Sequence, residues 1–261
     1  MLSVFRFIFL FRFLIFELFQ REIRSKYAGH LLSGVWVVGS PLILIAVYVT
    51  VFSAGFGGRM NDNQSGYIIY VLSGLVPWMA LQDSIIRGSQ SIVASQSLVK
   101  KINFPVAVLP ISAAIASLPS LLVGTLIIVG LDLYLNFRVG ILFGLIPFFI
   151  VFLFWSIGLS LLLSVITLYI RDTREVLSFA LTISLFASPI FYTPNAAPKM
   201  LAWIFPFNPF SYVIWAAQDS LFHLQVTSVA TWIVSAGGGF MLMVLAFKAF
   251  EAFKSDFGEA L

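Results

Sequence analysis

Cysteine is absent from the chain, and histidine occurs only as His30 and His223. Disulfides, thiol chemistry and cysteine-ligated metals are therefore excluded, and a histidine metal cluster has too few members to assemble. Charge is scarce too: 10% of residues are charged against 60% hydrophobic, and the mean hydropathy is +1.02. Water would not tolerate that composition as a compact globule. No GxxxxGK[ST] phosphate loop is present, and no clustered carboxylates or metal motif of the kind a membrane-embedded glycosyl- or acyl-transferase needs. The net charge of +4 comes with no basic stripe free to lie on a duplex, which argues against a nucleic-acid partner.

What remains is apolar sequence in lengths that suit a bilayer. A hydrocarbon core of about 30 Å needs roughly 20 apolar residues per helix, and six runs qualify: 31–54, 67–86, 106–131, 139–170, 175–192 and 229–250. Continuous runs, without polar alternation, rule out a transmembrane β-barrel. The expected fold is an all-α integral membrane protein in which 1–261 form a single transmembrane domain. Two shorter stretches within 197–222 are interrupted too often to cross. Residues 188–210 read SPIFYTPNAAPKMLAWIFPFNPF, and their prolines forbid one continuous helix but suit helix starts near Pro198 and Pro209. A re-entrant pair is expected there, against the plainer reading of a structured outer loop.

Basic residues set the orientation, because Lys and Arg are retained on the cytoplasmic side. Arg6, Arg12, Arg21, Arg24 and Lys26 precede the first run. Arg87, Lys100 and Lys101 follow the second, Arg171 and Arg174 follow the fourth, and Lys248 and Lys254 lie at the end; only Arg59, Arg138 and Lys199 fall on the other side. Both termini are thus expected in the cytoplasm. The Phe-rich segment 4–28 lacks a small-residue cleavage site and contains Arg12 and Glu17, so it is no signal peptide. At helical spacing Ser3, Arg6, Glu17, Gln20, Arg21 and Arg24 share one face, as in a helix lying in the membrane interface.

Three polar features carry candidate chemistry. Residues 88–105, GSQSIVASQSLVKKINFP, place Ile92, Leu98, Val99 and Ile102 against Ser and Gln, the pattern of a short amphipathic helix. It serves either as a docking element for a cytoplasmic partner or as an ordinary interfacial helix. RDTRE at 171–175 is the densest charged cluster between two runs, with Asp172 and Glu175 spaced as a cap and its partner. It is either a capped turn or a coupling site. The acids Asp83, Asp132 and Asp219 lie near run ends, where interfacial solvation accounts for them more simply than a proton relay.

In order and spacing, the segments RSKYAGHLLSGVW (24–36), SQSLVKKINFP (95–105), RDTRE and FPFNP (205–209) resemble the membrane subunit of type-2 ABC exporters. The resemblance covers essentially the whole chain. Within that group it is most similar to permeases exporting O-antigen, capsular polysaccharide or teichoic acid. It implies six spans, a homodimer in the bacterial inner membrane, and a separate nucleotide-binding ATPase subunit that holds ATP and Mg, this chain binding no cofactor itself. It further implies ATPase coupling through Gln90, Ile92, Ser95, Gln96, Leu98, Lys100, Lys101, Arg171, Asp172, Arg174 and Glu175. The substrate would be a lipid-linked polysaccharide. Sugar rings pack their C–H faces on aromatic rings, so Trp36, Trp78, Phe191, Tyr192, Trp203 and Trp215 are wall candidates, although membrane lipid and interfacial belts also attract aromatics. The alternatives are a secondary transporter, which would show buried ion sites and internal repeats, or an ABC exporter permease for lipids or small molecules.

Overall fold

The computed structural model describes residues 3–27, 64–100, 104–136, 142–170, 172–192 and 197–254, with single positions between 39 and 51 and at 257. Every regular element among them is helical. Most of the expected first span, together with Trp36, Lys101 and Arg171, lies outside the described residues. The helices are α1 (Val4–Leu10), α2 (Arg12–Tyr27), α3 (Gln64–Ala94), α4 (Gln96–Val99), α5 (Val108–Ile115), α6 (Leu118–Asn136), α7 (Leu142–Tyr169), α8 (Thr173–Phe186), α9 (Lys199–Ile204), α10 (Pro209–Gln218) and α11 (Val229–Phe253).

Four helical stretches are long and apolar enough to cross a membrane: Gly66–Ala94, Val108–Tyr134, Gly144–Tyr169 and Val229–Phe253. They correspond to the second, third, fourth and sixth expected spans. The expected fifth span is present as α8, only 14 residues long. It stops short because Pro189 restricts the residue before it and cannot continue the ladder. The helices starting at Lys199 and Pro209 do begin beside the two prolines, and they bend by 98°. Counting that pair as one crossing gives five candidate spans, so the described residues do not reach six.

Two helix boundaries differ from the sequence expectation. At 31 residues, α3 is about 46 Å long, well beyond a hydrocarbon core of about 30 Å. It runs through Gly88 and Gln90 to Ala94, so the first half of the expected 88–105 helix belongs to the span itself. The stretch 106–131 is instead broken at Ala116 and Ser117. Pro119 has no N–H to offer Ile115, and the helix restarts around it.

Packing centres on α7, which lies along both α3 and α11. One core gathers Tyr70, Leu75, Trp78, Phe148, Phe152, Phe191 and Ile214 toward the proline-rich end. A second joins Phe7, Ile92, Ile111, Leu161, Met243 and Phe247 toward the basic end. Through that second core α1 and α2 dock on the bundle: Val4, Phe7 and Ile15 are buried, and Phe7 sits 5.3 Å from the Phe247 ring. The opposite face of α1 and α2 exposes Ser3, Arg6, Glu17, Gln20, Arg21 and Arg24, the set expected from helical spacing. Arg12, which broke that pattern, rests over the rings of Phe9 and Phe13 at 4.7 and 4.9 Å, a cation–π arrangement.

Lipid supplies no hydrophobic drive between helices, so close approach through small residues holds α3, α7 and α11 together. Ser160 Oγ donates to Ser84 O at 3.2 Å, and Trp155 Nε1 donates to Ser235 O at 2.9 Å. A Cβ at Gly88 would stand 2.9 Å from Ser160 Cα, and one at Gly239 would stand 2.6 Å from Trp155 Cδ1. Gly88→Ala should therefore destabilise the protein by about 1–3 kcal/mol through overpacking, read as a lower midpoint of thermal unfolding in detergent. An unchanged midpoint would mean that α3 and α7 do not approach this closely.

Candidate functional site

Polar side chains concentrate at the two ends of the bundle. At the basic end α3 continues into α4, and Gln96 and Lys100 are exposed while Ser95 and Leu98 are half-buried. Nearby in sequence, Asp172, Arg174 and Glu175 are exposed at the start of α8, which packs on α3 and α7. Asp172 holds the N-cap position, but its side chain makes no capping bond; the Thr173 hydroxyl instead donates to Ile170 O at 2.6 Å. The carboxylates of 172 and 175 and the Arg174 guanidinium are thereby left facing outward. Ile92, grouped with these residues on sequence grounds, is 0% exposed inside the second core. Gln90 is half-buried with its Nε2 sealed from solvent. The proposed coupling residues thus divide into an outward set, 95–100 and 172–175, and an inward pair on the span itself.

An ion-paired group that the sequence reading did not assemble lies one helical turn further along α3. Lys26 Nζ is 3.1 Å from Asp83 Oδ2, and Arg87 donates to the same oxygen from the next turn. Arg87 Nη2 also reaches Ala116 O at 3.3 Å, answering a carbonyl at the break between α5 and α6. The spacing of Asp83 and Arg87, i and i+4 inside an apolar span, was the available signal.

At the proline-rich end, side chains satisfy the backbone that the prolines leave without helical partners. Tyr67 Oη donates to Phe191 O at 3.2 Å, and Tyr70 Oη lies 2.9 Å from Tyr192 O and 3.1 Å from Pro189 O. Gln218 Nε2 donates to Pro189 O at 2.7 Å. Asn208 caps α10 by accepting from Phe210 N, while its Nδ2 donates to Ala187 O and Ser188 Oγ, all at 3.0 Å. The bend is therefore tied to the end of α8 and to α3.

Asp219 and Asp132 are 3% and 0% exposed, which corrects the expectation that interfacial water solvates them. Asp219 accepts from Thr227 N at 3.1 Å, Thr227 Oγ1 at 2.6 Å and Trp232 Nε1 at 2.9 Å. It fastens the entry of α11. A groove of about 580 Å³ opens beside it between Gly144, Pro147, Trp232 and Ala236, and because the carboxylate already accepts three bonds the groove is essentially apolar.

The aromatic wall candidates separate by burial. Trp78 and Phe191 are each 1% exposed; Trp78 meets the Phe210 ring edge-on at 5.3 Å, and Phe191 packs on Phe186 at 5.7 Å. Both rings pack inside the chain's own core. Tyr192 and Trp215 are half-buried, and Trp203 is 76% exposed.

A sequence model of the family described as ABC-2 type transporter matches residues 13–222. The chain belongs to that family. Its relatives include an O-antigen export system permease protein RfbA of Myxococcus xanthus, 25% identical over the full length of both chains. The Klebsiella pneumoniae protein of the same name is 24% identical over 93% of this chain and 92% of its own. The polysialic acid transport protein KpsM of Escherichia coli is 25% identical over 78% and 79%. The match to the ABC-2 family runs from within α2 to just past α10 and so includes the coupling and wall candidates and Asp219, while Thr227, Trp232 and Ala236 lie beyond it.

Asp219→Ala in this ABC-2 protein should cost about 2–4 kcal/mol, since it strands three donors that the carboxylate now satisfies. The expected result is a lower unfolding midpoint, partly restored in Asp219→Asn. A wild-type midpoint in both variants would mean that the carboxylate is not the fastening of α11.

Proposed function

We propose that this ABC-2 protein is the channel-forming permease of an exporter that moves a lipid-linked polysaccharide, O-antigen foremost, across the bacterial inner membrane. The observation that carries the reading is the match to the Myxococcus O-antigen export permease, 25% identical across the length of both chains. Two copies of the chain enclose the channel, and a separate ATPase subunit binds ATP and Mg and hydrolyses the nucleotide. Both termini and the basic end face the cytoplasm, in accord with the distribution of Lys and Arg.

In this account the ATPase docks on the outward set, Ser95, Gln96, Leu98, Lys100 and Lys101 with Arg171, Asp172, Arg174 and Glu175. Force applied there enters the bundle next to Ile92, which lies at the end of α3 just before α4 and is locked into the core that also holds α1 and α11. At the other end the bent pair α9 and α10 re-enters the outer leaflet. Tyr192, Trp203 and Trp215 offer rings to passing sugars, and Trp36 joins them on the resemblance alone.

Two substitution sets test the division of roles. Lys100→Glu combined with Arg174→Glu should abolish co-purification of the proposed ATPase partner, with no change in the unfolding midpoint; normal co-purification and normal surface glycan would remove the docking assignment. Trp203→Ala should slow glycan export several-fold in a stable protein, whereas Trp78→Ala should destabilise by about 3–5 kcal/mol as a core truncation. Unimpaired export in Trp203→Ala, together with a wild-type midpoint in Trp78→Ala, would reverse that assignment. Mass spectrometry of the co-purifying lipid-linked sugar identifies the substrate, and a phospholipid or a small molecule in its place would refute the polysaccharide reading.

A further inference from the structure

We infer that Arg87 and Gln90, with Lys26 beside them, form a receiving site for a lipid-borne phosphate at the basic end of the bundle. Asp83, Arg87 and Gln90 follow one another at i, i+4 and i+7 on α3 and so share one face of the helix. Lys26, from the last turn of α2, reaches the same face through Asp83 Oδ2 at 3.1 Å. One carboxylate thus stands between two cations.

The donors of this face are not used up. Arg87 spends Nη2 on Asp83 and on Ala116 O. Its Nε and Nη1, and Nε2 of Gln90, are sealed from solvent with no hydrogen-bond partner. Four buried side-chain nitrogens lack a partner among the described residues, and three of them are on these two neighbouring side chains. Buried donors are normally satisfied, so a cluster of unanswered ones asks for an explanation. Every unanswered atom here is an N–H donor and two of the three belong to one guanidinium, so an oxygen-rich anion answers them best. Guanidinium and phosphate suit each other in geometry and charge.

The position selects a lipid as the carrier of that phosphate. The side chains of Arg87, Asp83 and Lys26 are 19%, 28% and 32% exposed, so the group is neither sealed in the bundle nor open to bulk water. It lies where α2 ends, after α1 and α2 have presented Phe9, Phe13 and Phe16 outward, the surface of helices that rest among headgroups. A phosphate arriving there on an apolar tail reaches the edge of the group from the headgroup layer, and the buried donors meet it when Arg87 and Gln90 turn outward. The chemistry is shared by an anionic phospholipid and by the phosphate link of a lipid carrier. Only the choice of the carrier rests on the export reading above.

The test uses the purified full-length chain with its ATPase and native mass spectrometry against three probes: a polyprenyl diphosphate, phosphatidylglycerol and inorganic pyrophosphate. The wild type should retain one or both lipids. Arg87→Gln and Gln90→Leu should each weaken that retention about tenfold, equivalent to about 1.4 kcal/mol. Gln90→Leu removes an unpartnered amide, so it should leave the unfolding midpoint equal or higher and keeps the test valid if Arg87→Gln folds poorly. A preference for the diphosphate identifies the carrier, and equal retention of phosphatidylglycerol identifies bulk lipid. Lipid retention unaffected by either variant, or binding of pyrophosphate alone, would overturn the inference. None of these readings requires transport, so a failure of the export proposal would be seen separately, as absence of exported glycan from the wild type.

Discussion

Hydrocarbon offers no hydrogen bonds, and so every carbonyl freed by a proline at membrane depth must find its donor inside the protein. The proline-rich end is organised around that requirement. Where α8 stops, the carbonyls of Ala187, Pro189, Phe191 and Tyr192 are met by Asn208, Gln218, Tyr67 and Tyr70. Those four donors come from α3, from α10 and from the cap residue at the bend, so satisfying the backbone also fixes where α3, the bend and α10 stand relative to one another. A helix interruption that would be a weakness in lipid becomes the joint that positions the outer end.

The basic end obeys the same rule with charge in place of tyrosine. Breaking the third span at Ala116 leaves a carbonyl that Arg87 answers, and the same guanidinium is neutralised in part by Asp83. Between the two ends, contact through Gly88, Ser84, Ser156 and Ser160 lets α3 and α7 approach closely.

Much of this arrangement is legible in the amino-acid sequence. Run lengths of apolar residues locate four crossing helices, and proline positions locate the starts of α9 and α10, because both signals depend on local chemistry alone. The end of α3 is not legible: GSQS reads as a polar boundary, and only its contact with Ser160 makes it the continuation of a span. Gln90 and Ile92 share a segment with Gln96 and Lys100, yet the first pair faces the bundle and the second faces out. Trp78 illustrates the same limit, since a tryptophan in an apolar run suits a pore wall, a belt or a core equally well until its neighbours are known. Asp219 looked like a group near the interface because its partners, Thr227 and Trp232, lie beyond a turn that composition does not reveal. The family resemblance was readable from the order of short motifs, and the match across 13–222 bears it out.

The central claim is that this chain, driven by a separate ATPase, carries a lipid-linked glycan across a membrane. Proteoliposomes holding the chain and that ATPase, loaded on the ATP-accessible face with the co-purifying lipid-linked glycan, test it directly. The account predicts ATP-dependent appearance of the glycan to a membrane-impermeant lectin on the opposite face, abolished when the ATPase is omitted. Equal appearance without ATP or without the ATPase, or no appearance at all with both present and active, would contradict it.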